Sequence, residues 1–394
     1  WAPLRSEGAS WPGRVGAVDG GMIRFRLDNG GSLVAVSAIG IGEGFEEREV
    51  DCAVLYPPHR DYSSLLMRRL ELRVARKVVE RVGAGGLLLL DGSLYGLLSH
   101  IPVTPTVAPN GYGSLLIDFY SELAGLLEDS SRTGVWLVSV SKSSSSSFLR
   151  DYALSILYRR EIERLRELNI LESGDLQMVE TLLYKLFRSP LEAVKLVKSL
   201  EARYGHFIRR IELIVREGLV KTPDLLLLKR YTDGVGSTEP LLLGPSSRLR
   251  DLYELALRDS LEYTARRLLL PEEEAGKVRD VLQRLVSVPA VASLYVRLSS
   301  SDYPLKIDVT ASILGVGRRY FDAGETPEKV EGVNVQQLIA ALKNMYGGRE
   351  VYNIWLYEAD RRARLRRHDS GAIIEVLGRR VGGIGLARRP LMEF

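Results

Sequence analysis

The chain has 394 residues, of which 45% are hydrophobic and 26% are charged, and its formal net charge is +4. An ordinary apolar fraction and a small net charge exclude global disorder. The longest purely apolar runs, such as Leu87–Leu90, fall far short of the roughly 18–20 residues that cross a bilayer, so no membrane span is expected. The length predicts a soluble globular protein of two or three domains.

The cysteine and histidine content narrows the chemistry. A single cysteine, Cys52, excludes a disulfide scaffold and a cysteine-rich zinc site, and four scattered histidines argue against a histidine cluster. Carboxylates would therefore have to do most of any metal ligation, which favours Mg²⁺ or Mn²⁺. The cysteine economy and the lack of a visible signal peptide predict a cytoplasmic protein.

Arginine outnumbers lysine about four to one. Arginine is suited to bidentate phosphate contacts, so this bias fits a polyanionic partner such as nucleic acid. Genome base composition or a hot habitat would produce the same bias, and the composition alone leaves both interpretations open.

The first 150 residues alternate between strand and helix patterns and predict an α/β fold. Three strands, a helix, a strand, a helix and a strand follow one another, which is the order of the ribonuclease H-like fold, a mixed five-stranded sheet with flanking helices. The predicted elements are a strand or bent hairpin at 14–27, strands at Leu33–Ile39 and Val50–Tyr56, a helix at 61–82, a strand at Leu87–Leu90, a helix near 113–127 and a strand at Val135–Ser141.

The rest of the chain predicts a largely helical insertion followed by a return to the core. We expect residues 1–147 to begin the ribonuclease H-like core, 148–285 to form the insertion, with a dimerisation or structural role, and 286–394 to complete the core. Further predictions are a turn at Ser143–Ser147, helices over 148–220 and 246–285, a buried strand at Pro223–Tyr231, strands at 293–299 and 304–310, helices at 334–346 and 354–367, and a weakly alternating tail at Ala372–Leu386.

Two aspartates follow apolar strands and precede glycines. Asp19 lies in Ala-Val-Asp-Gly-Gly and Asp91 in Leu-Leu-Asp-Gly-Ser-Leu. Burying an unpaired carboxylate would cost several kcal/mol, so packing alone does not explain these positions. The glycines leave room for a phosphate or a metal to approach the backbone. An ordinary Asp-Gly turn is the alternative, and it is weakened by the second occurrence.

The first long helix adds a third carboxylate. Glu71 shares a face with Met67, Val74 and Val78 and points towards the sheet, although a glutamate at the edge of the apolar face would reach water instead. Carboxylates brought together repel one another, and a divalent cation relieves that repulsion. Two metal ions roughly 4 Å apart would activate a water and stabilise the leaving oxygen of a phosphodiester.

These motifs resemble the NurA nucleases, a family that works with the HerA hexameric translocase in DNA-end processing. The order and spacing of the motifs carry the resemblance more than any single one. They are A17-V18-D19-G20-G21, R68-R69-L70-E71, L90-D91-G92-S93-L94, V138-S139-V140-S141-K142 and, near the C-terminus, Y352-N353-I354-W355-L356-Y357-E358-A359-D360.

The resemblance implies a ribonuclease H-like core with a helical insertion, a homodimer, and a nuclease that uses Mn²⁺, or Mg²⁺, with two ions per site. It implies 5′–3′ exonuclease and single-strand endonuclease activity in double-strand-break end resection. Asp19 and Asp91 match the metal-binding aspartates of the family, and Glu71 matches its helix glutamate. Tyr352 matches a tyrosine eight residues before the last site position, which is often histidine and is Asp360 here. An aspartate can ligate a metal but cannot act as a neutral imidazole base.

Basic residues accompany these carboxylates. Lys142 is a candidate for contact with the scissile phosphate or for orienting water. The alternative is an ordinary lysine at a strand end. Arginines surround Asp360, and Arg361 and Arg364 are the candidates for contact with the DNA backbone. A solvated helix with internal ion pairs is the alternative for this basic cluster.

Two rival functions remain open. The first is a catalytically weak ribonuclease H-like scaffold that binds DNA or the translocase without cutting, which the aspartate at position 360 favours. The second is an actin-like ATPase or kinase, whose core is related. That fold needs duplicated halves with glycine-rich phosphate loops, and the second half of this chain shows no such duplicate.

Overall fold

The computed structural model describes residues 1–3, 10–27, 30–55, 60–99, 112–220, 222–258 and 275–365. These residues form a mixed α/β structure in which helices flank one large sheet. The strands are β1 (Ala2–Pro3), β2 (Val15–Arg26), β3 (Ser32–Gly42), β4 (Phe45–Leu55), β5 (Leu87–Asp91), β6 (Trp136–Ser141), β7 (Gly236–Ser237), β8 (Leu241–Leu243), β9 (Val291–Arg297), β10 (Leu305–Thr310) and β11 (Glu328–Lys329).

Helices connect these strands and make up most of the predicted insertion. They are α1 (Arg60–Val82), α2 (Leu94–Ser99), α3 (Tyr112–Thr133), α4 (Phe148–Leu168), α5 (Ser173–Arg188), α6 (Pro190–Tyr204), α7 (Arg209–Leu219), α8 (Asp224–Tyr231), α9 (Ser247–Arg258), α10 (Ala275–Ser287), α11 (Gln336–Asn344) and α12 (Ile354–Ala363). Short 3₁₀ turns lie at Gly205–Phe207, Ala311–Leu314 and Tyr320–Asp322. None of these helices has the length and apolar character that a membrane span needs.

The sheet runs in the order β1-β7-β9-β10-β6-β5-β2-β3-β4, and β8 and β11 extend it beside β9. The predicted mixed sheet is confirmed, because β2, β3 and β4 pair antiparallel, and β5 is parallel to both β2 and β6. The described residues build eleven strands, so the sheet extends beyond the five strands predicted for the core. β10 pairs antiparallel with β6, so the C-terminal strands continue the N-terminal sheet instead of forming a layer of their own.

Helices cover both faces of the sheet. One face packs against α1, α3, α9 and α10, and the other packs against α11 and α12. Successive residues of a strand point to opposite faces, so Val18 faces α1 while Ala17 faces α12. The site described below therefore receives side chains from two different layers.

Four helices of the predicted insertion share a core of their own. Tyr158, Val179, Leu200 and Ile211 are buried together where α4 to α7 pack against one another. The helices α9 and α10 instead join the core of α1 and α3. The boundaries at residues 147 and 285 stay predictions.

The segment predicted as a buried strand, Pro223–Tyr231, is helix α8. A short apolar run fits a buried strand and a helix equally well, and its four consecutive leucines do not alternate. Leu228 is buried while Leu226 is exposed, as expected for a helix lying on a surface. Parts of the predicted helices over 246–285 and 354–367, and the tail Ala372–Leu386, lie outside the described residues.

Candidate active site

The two predicted aspartates lie side by side on adjacent strands. Val18 pairs with Leu90 in the parallel ladder of β2 and β5, so Asp19 and Asp91 are the next residues along the two strands. The alternation of both strands directs them to the face that α12 covers. The backbone N–H of Gly20 donates a 2.8 Å hydrogen bond to the Asp19 carboxylate.

Glu71 approaches from the other face of the sheet. A Cβ atom added at Gly20 would overlap the Glu71 carboxyl group, so only glycine leaves room for this side chain. A Cβ at Gly21 would likewise overlap the backbone of Ala363. The prediction that these two glycines leave space for a phosphate or a metal was therefore wrong, because protein atoms fill that space.

Burial and mutual repulsion raise the pKa values of three of these carboxylates. Burial raises the pKa of Asp19 to about 7, and the charges of Asp91 and Asp360 add to the effect. Burial raises the pKa of Glu71 to about 8, while Arg68 opposes the shift and the two aspartates beside it reinforce it. Burial also raises the pKa of Asp91, although Lys142 counteracts it. Carboxylates that repel one another in this way favour a cation among them.

Lys142 and Tyr352 both contact Asp91. The Lys142 ammonium lies 3.9 Å from the Asp91 carboxylate and 4.2 Å from the centre of the Tyr352 ring. The buried Tyr352 hydroxyl donates a hydrogen bond to the same carboxylate, and burial raises the pKa of that hydroxyl above its usual range. The Lys142 side chain is half exposed, so its ammonium also faces solvent.

Helix α12 brings Asp360 to the site by packing on β2 and β3. Its carboxylate raises the pKa of Asp19 and forms an ion pair with Arg364. Arg361 donates two 2.7 Å hydrogen bonds to Glu358 on the same helix. The ion pairs within the helix, which the alternative of a solvated helix predicted, are thus present. Of the two predicted DNA contacts, Arg364 lies nearer the carboxylates. Arg366 and Arg367 lie outside the described residues.

Gly92 makes the turn that follows Asp91. Its φ of 103° lies in the left-handed region that favours glycine. Its N–H donates to the Val140 carbonyl at 3.1 Å, and its own carbonyl accepts a 2.5 Å bond from the Ser141 hydroxyl. The end of β6 therefore fixes the direction in which Asp91 points.

A buried ion pair that the sequence did not reveal supports the same turn. Lys306 and Asp308 are fully buried on β10, with 3.1 Å between the ammonium and the carboxylate. The Ser93 hydroxyl accepts a 2.8 Å bond from Lys306 and donates a 2.7 Å bond to Asp308. The signal was present, because Lys306, Asp308 and Thr310 alternate in an apolar strand, but nothing placed that strand beside Asp91.

Arg68 is a second residue that the sequence reasoning left without a role. It lines a narrow cleft together with Glu71, Asp91, Ser93 and Ser139. Its charge opposes the rise in the pKa of Glu71. The signal was the spacing of three residues between Arg68 and Glu71, which places both side chains on one side of the helix.

The carboxylates are close but not arranged as a set of metal ligands. Within the described residues, no group of three or more His, Cys, Asp or Glu side chains has the arrangement that would hold a metal ion. Lys142 and Arg364 instead neutralise Asp91 and Asp360. The donor set consists of carboxylate oxygens alone, which suits a hard divalent cation.

The comparison with known families decides the assignment. A family model of the NurA domain matches residues 13–365. The chain belongs to the NurA family. No curated protein matches the chain.

Three crystal structures are similar to this NurA family member. The NurA nuclease from Sulfolobus solfataricus is 13% identical over 96% of this chain and 86% of its own, with a TM-score of 0.49. A second NurA structure is 15% identical over 97% and 91% of the two chains, with a TM-score of 0.44. NurA with manganese is 17% identical over 100% and 93%, with a TM-score of 0.38. These similarities are too weak to add to the family assignment.

Proposed function

We propose that this NurA family member is a metal-dependent DNA nuclease, a phosphodiester hydrolase acting on single-stranded DNA and on duplex ends. The observation that carries the proposal is the convergence of Asp19, Glu71, Asp91 and Asp360 from four different elements. Burial, reinforced by their mutual repulsion, raises the pKa of Asp19 to about 7 and that of Glu71 to about 8. Such perturbed carboxylates cluster at functional sites, because folding alone gains nothing from them.

The same four carboxylates would hold Mn²⁺ or Mg²⁺, and we propose two ions per site. When bound, the ions supply an activated water and stabilise the charge on the leaving oxygen. Binding them requires Lys142 and Arg364 to release Asp91 and Asp360. Both side chains are half or more exposed, so they are able to turn towards a phosphate. Tyr352 is buried and orients Asp91 through its hydroxyl.

The finer assignments rest on membership of the NurA family. We propose that β4-β3-β2-β5-β6 is a ribonuclease H-like core and that residues 148–285 form an insertion with a dimerisation or structural role. We also propose a cytoplasmic 5′–3′ exonuclease and single-strand endonuclease that forms a homodimer and acts with a HerA-type hexameric ATPase in end resection.

A catalytically weak scaffold is the second candidate function. It is favoured by the aspartate at position 360. The ion pairs of Asp91 with Lys142 and of Asp360 with Arg364 also favour it. A scaffold would bind DNA with the salt dependence of phosphate contacts but would not cut it.

The deciding experiment is digestion of 5′- and 3′-labelled linear DNA with Mn²⁺, Mg²⁺ or EDTA. We expect cleavage with Mn²⁺ to fall on the order of a thousandfold or more in Asp19→Ala and in Asp91→Ala, because each removes a metal ligand. DNA binding in EDTA should stay intact, and Asp233→Ala, at an exposed aspartate, is the matched control. Retained cutting by Asp19→Ala refutes the site, and wild-type binding without cutting in any metal supports the scaffold.

A further inference from the structure

A second group of cations around a tyrosine lies at the surface beyond the carboxylates. The Lys229 ammonium donates a 2.8 Å hydrogen bond to the Tyr303 hydroxyl and lies 4.6 Å from the centre of its ring. The Arg349 guanidinium lies 5.6 Å from the same ring centre. The hydrogen bond from Lys229 lowers the pKa of Tyr303. We refer to Lys229, Tyr303 and Arg349 as the tyrosine platform.

The strand register places the platform at the same edge of the sheet as the carboxylates. Lys306 on β10 pairs with Ser141 on β6, and the two strands are antiparallel. The start of β10 therefore lies beside the end of β6, where Lys142 follows. Tyr303 precedes β10 by two residues, in the hairpin that joins it to β9.

One short loop connects the platform to the candidate active site. Arg349 and Tyr352 both lie between α11 and α12, three residues apart, so their Cα atoms are within about 10 Å of each other. Tyr352 contacts Asp91 and Lys142, while Arg349 contacts Tyr303. Two cation–tyrosine pairs therefore follow one another along this edge.

The platform carries positive charge that is available to a ligand. Neither Lys229 nor Arg349 forms an ion pair with any residue that the structure describes, in contrast to Arg361 on α12. The neighbouring carboxylate, Asp302, accepts hydrogen bonds from the Tyr303 N–H at 2.7 Å and from the Tyr346 hydroxyl at 2.9 Å. The Tyr303 residue is 40% exposed.

We propose that the tyrosine platform is a binding subsite for single-stranded DNA next to the nuclease site. An unpaired base stacks on the Tyr303 ring, and Lys229 and Arg349 contact the flanking phosphates. Aromatic rings beside cations hold single strands without sequence preference, whereas the bases of a duplex are not free to stack on them. The inference rests on the proposed nuclease function, because it takes the strand to be the one that reaches the carboxylates.

The test is fluorescence anisotropy of the full chain in EDTA with a labelled oligothymidylate of about 12 nucleotides. We expect Tyr303→Ala to weaken binding roughly tenfold and Tyr303→Phe to retain most of it, because the phenyl ring still stacks. Lys229→Ala should weaken binding and reduce the slope against log salt by about 0.7. Tyr231→Ala, at an exposed tyrosine beside Arg230, is the matched control and should bind like wild type.

Cleavage of a dinucleotide separates this proposal from the nuclease function. Such a substrate occupies the carboxylates without spanning the platform, so Tyr303→Ala should cleave it at the wild-type rate and lose activity only on the longer strand. Wild-type affinity of Tyr303→Ala for the oligonucleotide overturns the platform, as does an equal loss in Tyr303→Phe or Tyr231→Ala. Retained cleavage by Asp19→Ala would instead overturn the nuclease site and leave the binding result to stand by itself.

Discussion

Glu71 reaches the other carboxylates across the sheet, and Gly20 makes this possible. Asp19 and Asp91 point to the α12 face, whereas Glu71 belongs to α1 on the opposite face. Any side chain at position 20 would collide with the Glu71 carboxyl. A glutamate in this position costs stability, because burial and the two aspartates disfavour its charged form. The proposed role of Glu71 as a metal ligand and the stability of the metal-free fold are therefore opposed at this residue.

This opposition predicts the behaviour of Glu71→Gln. The folded-state pKa of Glu71 is about 8 and the ordinary value is 4.5, so its contribution to stability is lost as pH rises from about 4.5 to 8. The neutral amide escapes that loss. We expect the metal-free variant to be more stable than wild type by at least about 1 kcal/mol at pH 9, and equally stable near pH 4. Urea unfolding across pH measures the difference.

The same variant should have lost its Mn²⁺-dependent cleavage, since an amide is a weaker metal ligand than a carboxylate. Glu80→Gln, on the exposed side of α1, is the control and should change neither property. A Glu71→Gln protein that is no more stable than wild type at pH 9 contradicts the burial argument. One that still cuts DNA contradicts the assignment of Glu71 as a ligand.

Some site residues were predictable from their own sequence motif, whereas the role of others depends on a neighbour in space. An aspartate between an apolar run and a glycine is visible in the sequence, and this pattern predicted both Asp19 and Asp91. The expectation that Asp19 follows a strand was wrong, because it lies inside β2, whereas Asp91 ends β5. The Lys306–Asp308 pair has meaning only beside Ser93, and no sequence pattern specifies that neighbour. The glycine at position 20 is visible in the sequence, but the structure requires it because of a contact with Glu71 on α1.

At the scale of elements, α8 shows where periodicity stops being informative. The leucine run of α8 predicted a strand, which was wrong. The Asp224 carboxylate of this helix accepts hydrogen bonds from the Leu149 and Arg150 N–H groups at the start of α4. The Tyr295 hydroxyl donates a third, at 3.1 Å. The backbone N–H groups at the start of α4 therefore find their hydrogen-bond acceptor in the first residue of α8. A local sequence pattern does not show this long-range arrangement.

Asp224 gives the folded protein a pH dependence of its own. Burial raises its pKa to about 6 from 3.8, so the native state loses stability as pH rises between these values, on the order of 3 kcal/mol at 1.36 kcal/mol per unit. Asp224→Asn lacks this loss. We therefore expect the variant to gain stability relative to wild type between pH 4 and pH 7, as measured by denaturant unfolding.

The exposed Asp233 supplies the comparison for this experiment, since Asp233→Asn should follow the wild-type curve. Parallel curves for wild type and Asp224→Asn would mean that the three hydrogen bonds to Asp224 compensate fully for its burial.

Several ion pairs hold the edge strand β4 against α1. Acidic residues two apart on the strand meet basic residues four apart on the helix, as Glu47 meets Arg81 and Glu49 meets Lys77. The two spacings match because both place side chains on one face. The sequence revealed both charge patterns but not that they face each other.

At the scale of the whole molecule, the candidate site forms because β9 and β10 extend the N-terminal sheet and α12 packs on that sheet. The N-terminal order of strands and helices was predictable from local patterns, and the structure confirms it. The position of α12 on β2 and β3 was not, because the packing of a C-terminal helix on N-terminal strands depends on the complete core. Asp360 was consequently chosen by family resemblance, and the structure places its charge beside Asp19.

A cation at this junction should stabilise the entire fold, which is our last prediction. On the proposed site, Mn²⁺ would relieve the repulsion among carboxylates from β2, α1, β5 and α12, and it would bind the folded chain in preference to the unfolded one. We expect about 2.7 kcal/mol of stabilisation at a hundred times the dissociation constant, seen as a higher melting temperature than in EDTA. Asp19→Asn should lose most of this rise, whereas Asp233→Asn should keep it. An equal rise in Asp19→Asn would place the ion elsewhere, and no rise in wild type would leave the four carboxylates without the metal that their chemistry requires.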